Sequence, residues 1–593
     1  MCGIIGYIGE NDIKNTLLSG LKELEYRGYD SAGLAILDEK LDLAIFKSAG
    51  KLVNLETKTS SYKSPKSGLG IAHTRWATHG KPTEINAHPH AGAHTTIVHN
   101  GIIENYAEIK CELEAKGCVF TSQTDSEIIV HLFEDYLKQG LDPDSAFAKT
   151  INSLKGAFAI LLITTKKPSG IFYAKHGAPL IIGKSNSGEI HIASSNAPLI
   201  GLSSEVVYLE DGRFGFIDKS NFGEFKNKKT LDLTQESAQK DGFEFFMEKE
   251  IYEQKDVLMN SILGRINLDS NKISLDINIP DIRSITICAC GTSYHAGLVG
   301  KYLLERIAGI KTEVIIASEY RYGEFVTNAD ELFIGISQSG ETADTLEAMK
   351  IAKANGAKTL SICNVDESSL TRLSDSYILT RAGIEKGVAS TKAFATQVLV
   401  LWIFALDLGL KFGRNINKQQ EIKNIFEAIN ATEVSLDLHE RIKRLSKRYL
   451  HGHGFFFIGR DIFYPLALEG ALKLKELSYL HAEGYASGEM KHGPIALVDS
   501  NLFTIALLPR HKLFDKMLNN IQELSARDAT ICVISSAECN IADDLIKIPS
   551  FSNYMSEFFA MMVALQLLSL EIARKIGNDI DMPRNLAKSV TVE

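Results

Sequence analysis

Cysteine is scarce in this chain, and no two cysteines are spaced as a CxxC pair. The 593 residues include eight of them, namely Cys2, Cys111, Cys118, Cys288, Cys290, Cys363, Cys532 and Cys539. This sparse distribution indicates neither a disulfide framework nor a cysteine-rich zinc site. Cys288 and Cys290 stand two positions apart, which on a strand is more typical of two small packing residues than of metal ligands.

Long apolar runs and an excess of positive charge are also absent. The longest wholly apolar run, residues 398–406, has nine residues, against the roughly 20 that span a bilayer, so no membrane segment is predicted. The amino end lacks the features of a signal peptide, and we expect a cytoplasmic protein. The net charge of −9 gives no overall positive potential that would attract the phosphate backbone of nucleic acid. Nucleic acid is therefore not expected as a partner.

The amino-terminal part of the chain predicts an α+β domain built on packed sheets, over residues 2–225. Short apolar runs between Gly, Asn, Asp and Ser predict strands, while two stretches with apolar residues at i, i+3 and i+4 predict helices. The predicted strands cover residues 3–8, 31–37, 70–73, 95–98, 157–163 and 171–174, and the predicted helices 13–26 and 126–138. A polar linker and helical lead-in are predicted over 226–280, with residues 243–265 helical.

The carboxy-terminal half predicts two copies of one α/β domain with parallel sheets, over residues 281–420 and 445–582, followed by a tail of residues 583–593. Buried strands end at Gly291 and Gly459, 168 positions apart, and two further pairs of apolar runs are offset by 170 and 171 positions. Three landmarks with nearly constant offset indicate a duplication. Each strand is followed by a long helical stretch, which is typical of crossover connections in a parallel sheet.

The two copies differ in the turns that follow their strands. The first copy has Gly291, Thr292 and Ser293 in one turn and residues 337–342, Ser-Gln-Ser-Gly-Glu-Thr, in another, where the second copy has Arg460 and Pro509. Hydroxyls beside helix amino termini at the carboxyl edge of a sheet favour a phosphate ligand. Helix capping is the alternative for either turn alone. GxGxxG and GxxxxGK[ST] are both absent, which argues against a dinucleotide or nucleoside triphosphate, and no cofactor is expected.

Cys2 is the candidate nucleophile of the amino-terminal domain. Removal of Met1, which the small second residue favours, would leave a thiol and a free α-amine on one residue. An α-amine has a pKa of roughly 7.7 to 8.0, so it can accept the thiol proton and later deliver it to a leaving group. The alternative is a cysteine placed by accident in an apolar first strand.

Three further segments accompany Cys2-Gly3-Ile4: residues 73–80, His99-Asn100-Gly101, and residues 124–127. The set resembles the class II glutamine amidotransferases, which have an N-terminal nucleophile and an αββα fold. The resemblance implies that the Cys2 thiolate attacks the side-chain amide of glutamine. It assigns an oxyanion hole to the Asn100 side chain and the Gly101 N–H, and glutamine-binding positions to Arg75 (α-carboxylate), Asp125 (α-ammonium), Trp76, Thr78 and His79.

The carboxy-terminal half resembles the sugar isomerase (SIS) domains that bind phosphosugars, through residues 337–342, 290–293, 388–392, 472–476, 488–494 and 583–593. With the amidotransferase half, the whole chain resembles the family that transfers nitrogen from L-glutamine to D-fructose 6-phosphate and isomerises the product to D-glucosamine 6-phosphate, the first step of amino-sugar synthesis. An internal ammonia channel gated by Trp76 is part of what this resemblance implies.

The same resemblance implies the roles of the sugar-site residues. Lys588 forms a Schiff base, Glu476 moves a proton from C1 to C2, Lys473 stabilises developing charge, and His492 opens the ring from the neighbouring subunit of a homodimer. The phosphate contacts are Gly291, Thr292, Ser293, Ser337, Gln338, Ser339 and Thr342, and the further sugar contacts are Val388, Ser390 and Ala587.

Several alternatives stay open at the level of sequence. Without the resemblance, Lys588 is a solvated tail charge, and Lys473 with Glu476 on a predicted helix over residues 468–480 is a surface salt bridge. His88 and His90 are a possible metal pair, with loop packing favoured because no third ligand is evident. Amidotransferases that act on phosphoribosyl pyrophosphate or aspartate could share the first half, but they would need a phosphoribosyl-type or ATP-binding second half, which the doubled SIS pattern contradicts. A non-enzymatic SIS regulator would leave the candidate catalytic residues unused.

Overall fold

The computed structural model describes residues 2–231, 240–275, 277, 279 and 281–590. The chain divides into two compact units, one of Met1–Ser237 with Ser589–Glu593 and one of Ala238–Lys588. They are called here the amino-terminal and the carboxy-terminal unit.

The amino-terminal unit combines antiparallel strands with a few helices. Its strands are β1 (Gly3–Gly9), β2 (Ser31–Asp38), β3 (Leu43–Ala49), β4 (Gly68–Arg75), β5 (His90–Ala91), β6 (Thr95–Ile103), β7 (Gly156–Thr164), β8 (Ile171–His176), β9 (Ile181–Lys184), β10 (Ile190–Ala193), β11 (Glu205–Tyr208), β12 (Arg213–Ile217) and β13 (Lys229–Thr230). Its helices are α1 (Ile13–Lys22), α2 (Leu52–Thr59), α3 (Tyr106–Ala115), α4 (Glu127–Lys138) and α5 (Pro143–Ser153).

Two sheets stack face to face between two layers of helices. Among the described residues the sheets have the strand orders β13-β11-β9-β10-β1-β4-β2-β3 and β12-β8-β7-β6-β5. Successive side chains of a strand point to opposite faces, so Ile4 of β1 joins the core between the sheets, while Ile5 packs with α1 and α2. On the far side of the second sheet, Ile160 of β7 packs with α3, α4 and α5. This confirms the predicted αββα fold class.

All six predicted strands and both predicted helices of this unit are present, with shifted bounds. The helix predicted over 13–26 ends at Lys22, and a 3-10 turn follows over Glu25–Arg27. Part of the predicted linker is a strand, because Lys229 and Thr230 pair with Val206 and Glu205 of β11. Residues 232–239 of that linker lie outside the described residues.

The carboxy-terminal unit alternates strands with helices. Its strands are β14 (Ile266–Asn267), β15 (Lys272–Ile273), β16 (Ser284–Ala289), β17 (Lys311–Ile316), β18 (Glu331–Ser337), β19 (Lys358–Cys363), β20 (Ser376–Leu379), β21 (Gly454–Gly459), β22 (Ala482–Ala486), β23 (Leu502–Leu507), β24 (Thr530–Ser535) and β25 (Asp544–Lys547). Its helices are α6 (Phe246–Tyr252), α7 (Gln254–Ile262), α8 (Gly291–Leu303), α9 (Ala317–Tyr322), α10 (Ala343–Ala354), α11 (Ser369–Leu373), α12 (Lys392–Lys411), α13 (Lys418–Val434), α14 (His439–Leu445), α15 (Phe463–Ser478), α16 (Phe514–Ser525) and α17 (Tyr554–Ile576).

Two parallel sheets with the same topology confirm the predicted duplication. The first has the order β17-β16-β18-β19-β20 and the second β22-β21-β23-β24-β25, and every neighbouring pair in both is parallel. Because strand ends meet at one edge of such a sheet, the turns after β16 and β18 lie together. The fold thereby brings the two hydroxyl-rich turns of the first copy to one site.

Two helices of this unit are long and apolar enough to cross a membrane by length and composition alone. They are α12, with 20 residues, and α17, with 23 residues. The apolar windows of the two helices are 94% and 100% buried inside the protein. Both are therefore core helices, and they form much of the apolar core that the two sheets share.

Two sequence predictions for this unit need correction. The helical run predicted over 243–265 is two helices, α6 and α7, and residue 266 already begins β14. The helix predicted over 468–480 is α15, which starts earlier, at Phe463, and ends at Ser478 because Tyr479 adopts a left-handed backbone with φ of 62°. Apolar residues before 468 and at 480 pack on the core whether or not they belong to the helix, so hydrophobic periodicity alone does not locate the helix ends.

Candidate active sites

Cys2 lies at the start of β1, beside the turn that follows β4. The Trp76 N–H points to the Cys2 sulfur at 3.2 Å, and the Cys2 thiol points to the Trp76 carbonyl at 3.5 Å. Burial raises the pKa of the Cys2 thiol, while the Trp76 N–H and the Arg75 guanidinium oppose that shift. A donor aimed at the sulfur stabilises the thiolate form that attacks carbonyl carbon.

Asn100 and Gly101 lie on β6, next to Cys2. The Asn100 amide nitrogen donates to the Cys2 carbonyl at 3.0 Å, so the side chain is held at the start of β1. Gly101 has a φ of +130°, and a Cβ placed there would lie 1.9 Å from the Ala157 carbonyl oxygen of β7. Only glycine fits this backbone position.

Arg75 is buried, and its guanidinium is held by the loop that follows Trp76. It donates to the carbonyls of His79, of Gly80 at 3.1 Å and of Lys81 at 3.4 Å. Burial lowers the pKa of Arg75 from its usual range, against the attraction of neighbouring acidic groups. The Asp30 carboxylate accepts from the Ala77 N–H at 2.9 Å and fixes the same loop from its other end.

Asp125 is the buried carboxylate of the segment predicted to bind glutamine. One of its oxygens accepts from the Ile103 N–H at 2.8 Å, and the Ser126 hydroxyl lies 3.4 Å from the other. The remaining predicted glutamine contacts are less enclosed. Thr78 is exposed, Trp76 is half-buried, and the His79 ring packs edge-on against Tyr106 with centroids 5.3 Å apart.

His88 and His90 belong to a buried layer of four imidazoles, together with His73 and His99. The His88 ring lies 4.2 Å from the His73 ring and 4.6 Å from the His90 ring, between centroids. Burial is the main cause that lowers the pKa of all four imidazoles. A buried layer of neutral rings supports the packing interpretation of the His-Pro-His segment.

In the carboxy-terminal unit, the turn after β18 is folded by its own hydroxyls. The Ser337 hydroxyl lies 3.0 Å from the Thr342 hydroxyl and accepts from the Gly340 N–H at 3.0 Å, while the Ser339 hydroxyl accepts from the Glu341 N–H at 3.2 Å. The turn leads directly into α10, whose first-turn N–H groups carry a partial positive charge. Gln338 lies in the same turn.

The two hydroxyl side chains of the turn after β16 contact different parts of the unit. Ser293, in the first turn of α8, accepts from the Gln397 amide at 3.0 Å. The Thr292 hydroxyl instead donates to Glu469 at 2.9 Å and accepts from Lys473 at 3.1 Å. Gly291 begins α8 with a φ of +52°. The structure thus links one predicted phosphate contact, Thr292, to the acidic face of α15.

Three charged residues line one face of α15. Glu469, Lys473 and Glu476 stand at i, i+4 and i+7, and the Lys473 amine lies 3.4 Å from Glu469 and 2.7 Å from Glu476. Burial alone would lower the pKa of Lys473, but the two carboxylates outweigh it and raise the pKa to about 12. Lys473 is 1% exposed, so the surface salt bridge that the sequence left open is wrong.

Lys588 is enclosed, although it lies in the carboxy-terminal tail. Its amine forms an ion pair with Glu385, donates to the Gly387 carbonyl at 2.8 Å and lies 3.3 Å from the Ser390 hydroxyl. The side chain is 2% exposed. The alternative of a solvated tail charge is therefore wrong.

Glu385 holds this arrangement together. Besides Lys588, its carboxylate accepts from the Ser390 hydroxyl at 2.7 Å and from the N–H groups of Thr391 at 2.9 Å and Ala393 at 3.0 Å. Burial acts to raise the pKa of Glu385, but Lys588 and these donors lower it to about 2. Glu385 is therefore an anion that both caps α12 and neutralises the lysine.

A second buried carboxylate, Glu250, supports the loop below Lys588. It accepts from the N–H groups of Lys386 at 2.5 Å and Gly387 at 3.1 Å. Burial and the nearby Glu385 raise the pKa of Glu250 to about 8, against the attraction of Lys588 and Lys392.

The remaining predicted sugar-site residues are placed as follows. The Val388 N–H donates to the Asp581 carbonyl at 3.2 Å, and Ala587 is half-buried beside Lys588 in the chain. His492 is exposed in a 3-10 segment over Ser487–His492. No contact among the described residues joins His492 to Glu476 or Lys588.

Sequence reasoning missed Glu385, Glu469 and His73. A signal existed for the first two, since Glu385 precedes the predicted sugar contact Val388 by three positions and Glu469 precedes Lys473 by one helical turn. His73 lies in the segment 73–80, where the sequence gives it no signal apart from the rest of the segment.

Comparisons with known proteins agree with this geometry. The glutamine amidotransferase domain model matches residues 73–200, and the SIS domain model matches residues 279–407 and 452–571. Relatives named glutamine--fructose-6-phosphate aminotransferase (isomerizing) are 58% identical in Campylobacter jejuni and 55% identical in Helicobacter pylori, each over 100% of both chains. The C-terminal domain of glucosamine-fructose-6-phosphate aminotransferase from Francisella tularensis is 41% identical, with a TM-score of 0.55, over 58% of this chain and 100% of that one.

Fold and sites thus define a class II glutamine amidotransferase joined to a pair of SIS domains. The two full-length relatives named above match this chain from end to end. The chain belongs to the glutamine--fructose-6-phosphate aminotransferase (isomerizing) family.

Proposed function

We propose that this enzyme hydrolyses L-glutamine and uses the ammonia to convert D-fructose 6-phosphate into D-glucosamine 6-phosphate. The observation that carries the proposal is the presence in one chain of two matched reactive groups. One is a Cys2 thiol framed by the Trp76 N–H and Asn100. The other is the Lys588 amine, held out of solvent by an ion pair with Glu385 of the first SIS domain.

The glutamine reaction begins with attack of the Cys2 thiolate on the side-chain amide carbon. The α-amine freed by loss of Met1 takes the thiol proton and passes it to the departing ammonia. The developing oxyanion is bound by the Gly101 N–H and by the Asn100 amide, which has a second hydrogen beyond the one donated to Cys2. Water then cleaves the thioester and releases glutamate.

Arg75 and Asp125 hold the α-carboxylate and the α-ammonium of the same glutamine. A buried guanidinium pairs well with a carboxylate because both are planar and can share two hydrogen bonds. Trp76, Thr78 and His79 complete the glutamine site, with Trp76 also gating the exit of ammonia.

The sugar reaction begins with ring opening by His492 and attack of the Lys588 amine on the ketone carbon C2. Water leaves as the imine forms, and ammonia then displaces the lysine. Glu476 removes a proton from C1 and returns it to C2, which leaves an amine at C2 and an aldehyde at C1. Lys473, 2.7 Å from Glu476, stabilises the negative charge on the sugar oxygens during this transfer.

The phosphate of the sugar lies at the amino ends of α8 and α10. Partial positive charge and free N–H groups at such ends favour a dianion. The contacts are Gly291, Thr292, Ser293, Ser337, Gln338, Ser339 and Thr342, with Val388, Ser390 and Ala587 around the sugar carbons.

Assembly and location complete the proposal. The exposed position of His492 supports a homodimer in which each subunit supplies this residue to its neighbour. Ammonia passes through a sheltered path, because in neutral water it would be protonated and lose its nucleophilic lone pair. The enzyme works in the cytoplasm.

The testing experiment supplies the purified full chain with glutamine and fructose 6-phosphate, and assays glutamate and glucosamine 6-phosphate. Intact mass reports whether Met1 is absent. Both products in equal amounts are expected. Glutamate without amino sugar would indicate another ammonia acceptor, and neither product from a chain that binds the sugar phosphate would indicate a regulator.

A further inference from the structure

A chain of two hydrogen bonds leads from a buried histidine to the nucleophile. The His73 Nε2 atom lies 3.0 Å from the Asn100 side-chain oxygen, and the Asn100 amide nitrogen lies 3.0 Å from the Cys2 carbonyl oxygen. His73 is fully buried on β4, the strand that pairs with β1 beside Cys2.

The chemistry of these groups fixes the direction of each bond. The Cys2 carbonyl can only accept, so the NH2 group of Asn100 must face it. The Asn100 oxygen then faces His73, and the His73 Nε2 must carry the hydrogen. The reversed amide would direct its oxygen at the Cys2 carbonyl and remove the donor from the proposed oxyanion hole.

Its surroundings keep His73 in this neutral form. Burial, with His99 and Arg75 nearby, lowers the pKa of His73 to about 3. The His88 ring, whose centroid lies 4.2 Å from that of His73 at an interplanar angle of 35°, limits rotation of the imidazole. A neutral ring with a fixed orientation is a directional donor with no net charge beside the thiolate.

We propose that His73 is a positioning residue that locks the Asn100 amide with its NH2 group toward Cys2 and the oxyanion. The inference rests on the proposed glutaminase function, in which Asn100 stabilises the tetrahedral intermediate. His73 does not touch glutamine itself, and it acts only through Asn100.

The test compares His73→Gln with His73→Asn in the full chain. The Gln amide nitrogen can reach the position of Nε2, whereas the Asn side chain is one methylene shorter and falls short of Asn100. We expect His73→Asn to lower glutaminase kcat by about 100-fold, the scale of losing one oxyanion donor, with KM for glutamine unchanged. His73→Gln should restore most of the turnover.

A second readout separates positioning from general damage. Glutamate γ-semialdehyde adds to the Cys2 thiol and forms a tetrahedral adduct, so His73→Asn should weaken its binding in parallel with kcat. Glutamate binding and the rate of Cys2 alkylation by iodoacetamide should not change. The matched control is His191→Gln, another buried histidine of this unit, which lies 3.3 Å from the Ser203 hydroxyl and should leave every readout unchanged.

Three results would overturn the inference: wild-type turnover and aldehyde binding in His73→Asn, equal impairment of the Gln and Asn variants, or slowed alkylation that shows a displaced thiol. Failure of the proposed function itself looks different, because the wild-type chain would then release no glutamate from glutamine.

Discussion

The amine of Lys588 and the carboxylate of Glu385 form an ion pair 203 positions apart in the chain, with side chains 2% and 0% exposed. An ammonium has no lone pair with which to attack a ketone. The pair therefore describes the state before the sugar reacts, and Glu385 is the group best placed to receive the proton that Lys588 must release. The proton then leaves Glu385 with the water that is released as the imine forms, so the carboxylate can pair with the positive charge of the iminium.

Glu385→Gln should accordingly slow formation of the lysine–sugar imine. Glutamine keeps an oxygen for the N–H groups of Thr391 and Ala393, but it cannot accept a proton. We expect amino-sugar synthesis to fall by about 100-fold, a typical scale for losing general base catalysis. Trapping with borohydride and fructose 6-phosphate, followed by mass spectrometry of the Lys588 peptide, measures the imine directly.

Two further variants serve as controls for the trapping experiment. Lys588→Ala should abolish both trapping and synthesis while glutaminase turnover stays detectable, and retained synthesis would refute the imine assignment. Glu253→Gln removes the carboxylate 2.8 Å from Lys392, and borohydride should trap the Lys588 imine in this variant as it does in the wild type. Normal trapping in Glu385→Gln would show that another group accepts the proton.

The sequence alone predicts those features of this protein that depend on residues close together in the chain. It does not predict contacts between residues that are far apart in the chain. Local periodicity predicts an α+β unit and the duplication, the resemblance carried by the motifs implies the αββα fold, and the hydroxyl-rich turns of the first copy are visible in the sequence. Glu385 and Glu469 are not predicted as site residues, because a single carboxylate in a sequence usually belongs to a solvated side chain. Their importance arises only when folding buries them against Lys588 and Lys473.

Lys473→Met should destabilise the carboxy-terminal unit. The substitution leaves the buried Glu469 with His295, 2.7 Å away, but without the Lys473 ammonium, and removing one partner of a buried ion pair costs about 3 to 5 kcal/mol. Urea unfolding measures the change in the free energy of unfolding. Lys475→Met, an exposed lysine on the same helix, is the control and should have little effect. Equal stability of the two variants would contradict the buried charge cluster.

Gly101→Ala should abolish glutaminase activity or folding of the amino-terminal unit. The added Cβ would lie 1.9 Å from the Ala157 carbonyl, at a φ of +130°, so β6 and β7 must separate. Gly188→Ala tests backbone strain alone, because Gly188 has a φ of +88° with open space around it. Glutaminase assays and circular dichroism of both variants check this expectation, which fails if the two behave alike.

Stability should depend on pH through Glu250. Its pKa is about 8 in the folded chain and about 4.3 when unfolded, so the unfolded state loses this proton first. The contribution of Glu250 is therefore full below about pH 4.3 and is lost as the pH rises toward 8.

Glu250→Gln keeps an acceptor for the Lys386 and Gly387 N–H groups and removes the titration. Its free energy of unfolding should fall less than that of the wild type between pH 5 and pH 8, by urea unfolding at each pH. Parallel curves would show that Glu250 titrates normally beside Glu385, Lys588 and Lys392.

Transfer of isotope tests the central claim most directly. The full chain is supplied with glutamine labelled with nitrogen-15 in the side-chain amide, fructose 6-phosphate and an excess of unlabelled ammonium. If the two sites are coupled, the glucosamine 6-phosphate carries the label and forms in an amount equal to the glutamate. The Cys2→Ala variant supplied with glutamine and no ammonium should form no glucosamine 6-phosphate. Glutamate release with no labelled amino sugar would contradict the account.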